Sequence, residues 1–248
     1  MSSIEIGGEL RGDLQPLNAL WAELKDAGCA IRFFPGQVSI HSGKDSHRAS
    51  ADWHEFPMCE WRVYFPRDAW AHQVFHELVH IHRYEALGVP WARPTPAATG
   101  HHKGNVGELN NDFDHAFVVP REIASYPEAE RYWAEDFTGT FPAMPTHGAT
   151  PHEISVARLA LFRGWLVLPV AMPRADITSR YASALRELGC YEVADKMSAE
   201  VQAAGVDKAA AMRSFRNALR LDLPPEAFTS FELHSPSCRS LRTRKEAT

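Results

Sequence analysis

The chain has 248 residues, 45% of them hydrophobic and 23% charged, with a formal net charge of −5. That is the composition of a globular protein with one large domain or two modest ones, and its acidic balance argues against nucleic acid or an anionic membrane surface as an obligatory partner. The four cysteines, Cys29, Cys59, Cys190 and Cys238, lie far apart and form no CxxC pair, which argues against a structural zinc knuckle.

The N-terminal MSSIEIGGELRGD is polar and acidic and carries no signal-peptide pattern. The longest apolar run, GWLVLPVAMP, is ten residues long and interrupted by proline, too short to cross a bilayer. A soluble, cytoplasmic protein without membrane or nucleic-acid partners is expected, with leaderless secretion as the other option. LQPLNALWAELKDAG has apolar residues at helical spacing and closes on Gly28. CAIRFFPG and QVSIH read as short strands around a Pro-Gly turn, and residues 43–55 read as a polar loop. EWRVYFP alternates and predicts a strand. Asp68 then caps a long helix, AWAHQVFHELVHIHRYEALG, that ends at Gly88.

VPWARPTPAATGHHKG, rich in proline and glycine, predicts an irregular connection. ELNNDFDHAFVV predicts a helix ending near Pro120, because the residue before a proline avoids the helical region. The remainder reads as mostly helix. TPHEISVARLALFRGWLVL opens with a Thr150–Glu153 capping box and has Pro151 at the first helical position. DITSRYASALRELG and YEVADKMSAEVQAAG each end at glycine, and DKAAAMRSFRNALRL is stopped by Pro224 and Pro225. The basic C-terminal SLRTRKEAT reads as a disordered end.

Chemistry concentrates in FHELVHIH, residues 75–82. Residues four apart on a helix project about 40° apart, so His76 and His80 can offer two imidazoles to one ion. Zn²⁺ suits such ligands, and a catalytic site uses three protein ligands plus a water. Glu77 is angled away from the ligand line and suits the role of general base toward a water whose pKa the metal lowers to about 7. Val74, Leu78 and Ile81 face a core on the other side.

HELVH on a helix that follows a strand resembles the active-site helix of the zincin metallopeptidases, over residues 60–120. The resemblance implies a zinc hydrolase with Glu77 as base. Arg83 and Ala86 stand where an extended HExxHxxGxxH needs glycine and histidine, so a metzincin is not implied. A gluzincin-like arrangement takes its third ligand from a later helix. In GELNNDFDHAFVVP the residues Glu108, Asp112 and His115 share one face. This segment is similar to the Asn-Glu pair of thermolysin-like enzymes and to the AN-x-FA…P helix of ImmA/IrrE-type peptidases. The first comparison puts Asp112 in the ligand position; Glu108 and His115 are the alternates, and with Glu108 as ligand Asp112 orients a histidine from behind.

His72 and His82 read as solvated or supporting histidines. His101 and His102, Tyr84, Tyr126, Tyr132 and His147 are candidates for stabilising an oxyanion. The expected fold is α+β, a zincin-like small sheet packed on the HExxH helix with a mostly helical C-terminal region: a catalytic region over 1–148, a helical cleft wall over 149–235 and a tail over 236–248. The expected function is a zinc metallopeptidase acting on a peptide or protein substrate. The alternative is a regulatory interaction module in which this helix is structural or degenerate.

Overall fold

A computed structural model describes residues 10–37, 48–54, 60–94, 100–218 and 231–234, with side chains described for all of these except 93–109 and 231–234. Contacts divide the chain into two compact units, one running to Val89 and one from Pro90 to His234. Both are built as mixed α and β structure.

The first unit opens with α1 (Gln15–Asp26), whose Leu17, Leu20 and Leu24 are buried on one stripe. Gly28 ends it at a φ of +78°, a left-handed value that suits glycine. The Gly28 and Cys29 N–H groups then close back on the Lys25 and Leu24 carbonyls at 2.8 and 3.0 Å, as in a glycine C-cap. Three strands follow: β1 (Ile31–Pro35), β2 (Ser50–His54) and β3 (Glu60–Phe65). Strand β3 is central, parallel to β1 and antiparallel to β2.

Strand β2 lies inside the stretch expected to be a polar loop. Ser50, Asp52 and His54 give it a polar sequence, but its residues find cross-strand partners: Asp52 lies opposite Arg62, and Trp53 opposite Trp61 with ring centroids 5.3 Å apart. Such pairs stabilise a strand that its own propensities do not announce. The strand expected over 37–41 falls, from residue 38 on, outside the described residues.

The helix α2 (Ala71–Glu85) packs against α1, β2 and β3. Trp61 stacks on Tyr84 at 5.9 Å with planes 6° apart, and its Nε1–H donates to Glu85 Oε1 at 2.9 Å. Trp70, not Asp68, is the N-cap residue. Arg11 bridges to the backbone on both sides of Trp70, through Ala69 O and the Ala71 N–H, which keeps this segment extended. Asp68 instead pairs with Arg11 at 2.9 Å. The helix gives way to Gly88, with a φ of +68°, as its sequence predicts.

The second unit begins with β4 (Trp91–Pro94), within the expected irregular connection, and β4 pairs antiparallel with β5 (Phe231–His234). The Asn110 side chain anchors β4 by accepting from the Ala92 N–H at 3.0 Å and donating to the Ala92 carbonyl at 2.6 Å. Asn110 belongs to α3 (Gly100–Ser125), which starts earlier than predicted and runs through Pro120. Proline has no N–H for the carbonyl four residues back, here that of Ala116. Gln202 Nε2 donates to that carbonyl at 2.9 Å in its place, so the predicted stop at Pro120 is overridden by a partner distant in sequence.

Helix α4 (Ala129–Gly139) follows, in a stretch for which the sequence analysis above predicts no separate element. Helix α5 (Pro151–Trp165) has the predicted cap: the Thr150 N–H and hydroxyl reach Glu153 Oε2 at 2.7 and 2.8 Å, and the Glu153 N–H returns to Thr150 Oγ1 at 3.3 Å. After the short α6 (Leu168–Ala171) come α7 (Asp176–Glu187), α8 (Tyr191–Ala204) and α9 (Lys208–Ala218). The predicted continuation of α9 to Pro224 and the C-terminal tail lie outside the described residues. Pro151–Ala171 is long and apolar enough to cross a membrane by length and composition, with a mean hydropathy of 1.5, and 44% of that window is buried inside the protein. Leu161, Phe162 and Trp165 are buried core residues within it. Helix α3 packs against β4, α6, α8 and α9 and belongs with them to the second unit.

Candidate metal centre

Helix α2 buries two opposed faces. At 100° per residue, Val74, Leu78 and Ile81 lie on one side and His72, His76, His80 and Arg83 on the other. The three apolar residues are wholly buried, as expected for the core face. The four polar ones are also buried, each less than a tenth exposed, an unusual environment for groups that carry or accept charge.

His76 Nε2 and His80 Nε2 lie 3.1 Å apart, with ring centroids at 4.8 Å. Two imidazolium charges at that separation repel by about 5 kcal/mol even at an effective dielectric of about 20, so the rings cannot both be protonated. One arrangement is an N–H···N hydrogen bond between neutral rings. The other directs both lone pairs at one cation. Two nitrogens bound tetrahedrally at 2.0–2.1 Å stand about 3.3 Å apart, so the spacing fits chelation by consecutive turns. Glu77 sits about 100° round the helix from His76 and is half-buried, on the flank of the histidine stripe.

The other histidines of this helix divide as follows. His82 faces α1, its Nε2 3.5 Å from Glu23. His72 is buried, with its ring 6.4 Å from that of Trp70. Neither is drawn into the close contact made by His76 and His80.

Helix α3 carries the three candidates for a further ligand. The Glu108 side chain lies outside the described residues, as do those of His101 and His102. Asp112 is paired with Arg163, whose Nη2 donates to Oδ1 at 3.1 Å and whose Nε lies 2.6 Å from Oδ2. Of the two contacts only that to Oδ1 has hydrogen-bond geometry. His115, one turn on, is half-buried with its ring edge-on to Trp133, centroids 5.3 Å apart and planes 67° apart. Trp133 in turn donates through Nε1–H to Glu122 Oε2 at 2.8 Å. Between these residues Asp114 and Lys208 form a fully buried ion pair at 3.0 Å.

The sequence reading did not single out Trp133 or Glu122. Glu122 stands seven residues after His115, which returns to the same helix face, and that periodicity was the available signal. Of the oxyanion candidates, Tyr84 is stacked in the sheet–helix core, Tyr126 is buried, Tyr132 lies edge-on to Trp133 at 5.4 Å and His147 is exposed.

No family model matches this sequence, and no curated protein or solved structure matches it.

Proposed function

We propose that the chain is a metal-dependent hydrolase, acting on a peptide or protein substrate, with Glu77 as general base. The observation that carries this reading is the 3.1 Å approach of His76 Nε2 to His80 Nε2 within an HExxH sequence on a buried helix face. His76 and His80, one turn apart on the same helix face, form a pair that could share an ion. The sequence offers Asp112, Glu108 and His115 as the candidates for a third ligand. Imidazole ligands suit Zn²⁺ among the common divalent ions.

His76 and His80 would hold the ion, which when bound would supply a lowered pKa for water and polarisation of the carbonyl. Glu77 takes the proton from the attacking water and delivers it to the leaving amine. The test is Glu77→Gln in zinc-loaded protein, assayed on a mixture of peptides. Full zinc content with turnover lost is the expected result; turnover equal to that of the unaltered protein would remove Glu77 from the mechanism.

The second reading is a non-catalytic interaction module, in which the same 3.1 Å contact is an N–H···N hydrogen bond bracing the helix. It is favoured if the protein, purified without chelator and dialysed against zinc, holds no metal.

A further inference from the structure

We infer that the cleft between α8 and α9 is a binding site for a small organic ammonium ion with a short alkyl stem, with Glu192 as its anchoring group. Both helices belong to the second unit and pack directly on each other. The site is therefore complete within one helical hairpin, and it is independent of the histidine pair and of the function proposed for it. The cleft is about 420 Å³, within the range of small-molecule sites, which combine an apolar lining with a few polar groups that fix orientation.

The lining has that composition. Met197 reaches the cleft from the core at 1% exposure, and one turn away Val193 stands 44% exposed, a large apolar side chain left against water. Around them are Glu192 from α8 and Ser214 and Asn217 from α9. Among the described residues none of these three side chains has a hydrogen-bond or ionic partner. Lys196 has a glutamate one turn before it and another one turn after it. A glutamate four residues before a lysine is the stronger arrangement on a helix, yet the ammonium pairs with Glu200, at 3.8 Å. Two carboxylates against one ammonium leave the lining with a net charge of −1, carried by Glu192. A ligand ammonium has three N–H donors and no acceptor, which matches a carboxylate, a hydroxyl oxygen and an amide oxygen. Its methylenes cover Val193 and take that side chain out of water. A carboxylate ligand meets the surplus negative charge instead, and a hydrocarbon leaves the polar groups without partners.

The experiment titrates the full chain with n-pentylamine, protonated at neutral pH, and follows the backbone amides by NMR. Pentanoate is the anionic counterpart, and methylamine carries the ammonium without the stem. The variants are Glu192→Gln in the cleft and Glu187→Gln on α7, a control for lost negative charge; both positions are exposed, so neither change touches the core. n-Pentylamine should produce saturable shifts centred on α8 and α9, pentanoate none there, and methylamine should bind several-fold more weakly. Glu192→Gln should weaken n-pentylamine binding by about tenfold or more, as loss of a charged hydrogen-bond partner does, and Glu187→Gln should leave it unchanged. Shifts that never saturate, pentanoate or methylamine binding as well as n-pentylamine, or unchanged affinity in Glu192→Gln overturns the inference. Equal weakening in the two variants overturns it too, because attraction to overall negative charge then suffices.

Discussion

The side-chain amide of Gln202 donates to the main-chain carbonyl of Ala116 at 2.9 Å, the oxygen that Pro120 leaves without its helical partner. One hydrogen bond between residues 86 apart in sequence thus lets α3 continue through a proline to Ser125. Gln202→Leu removes the donor and leaves a carbonyl of a fully buried residue unserved, at a cost of about 1–3 kcal/mol. Urea denaturation should show this loss, and it should shrink in Pro120→Ala/Gln202→Leu, where residue 120 regains an N–H for Ala116. Equal losses in the two proline backgrounds would show that the two groups are not coupled.

Asp114 and Lys208 are each 1% exposed and meet at 3.0 Å. Removing one partner strands a buried charge, at about 3–5 kcal/mol, whereas replacing both by apolar residues of similar volume is commonly neutral or better. Lys208→Met alone should therefore lower stability strongly, and Asp114→Leu/Lys208→Met should restore most of it. Chemical denaturation of the three proteins measures the difference.

Glu153 gives a pH signature. The Thr150 N–H and then its hydroxyl, bonded to the carboxylate, hold its pKa below the ordinary value of 4.5. A carboxylate whose folded pKa is lowered stabilises the native state above its unfolded pKa, and that stabilisation disappears as pH falls through the lower folded value. Tm should therefore drop below about pH 4.5, and the part of the drop due to this cap should be missing in Glu153→Gln. The same Tm-against-pH slope in both proteins would contradict the assignment.

Much of this arrangement is legible locally. The glycine ends at Gly28 and Gly88, the Thr150 cap and the core stripe Val74, Leu78 and Ile81 follow from patterns within one or two turns. The rest depends on partners that no local window contains. Strand β2 needs Arg62 and Trp61 opposite Asp52 and Trp53. The start of α2 at Ala71 depends on Arg11, sixty residues earlier. Helix α3 outlasts Pro120 because of Gln202. The candidate site divides in the same way: His76, Glu77 and His80 are close in sequence and readable, whereas the pairing of Asp112 with Arg163 joins residues that no local window holds together.

The most direct measurement is metal stoichiometry by elemental analysis, on protein purified without chelator, dialysed against zinc and freed of excess. One zinc per chain, lost in His76→Ala/His80→Ala while circular dichroism remains that of the folded protein, is the predicted result. No bound metal in the unaltered chain, or one zinc retained by the double variant, would contradict the chelating pair on which the proposed function rests.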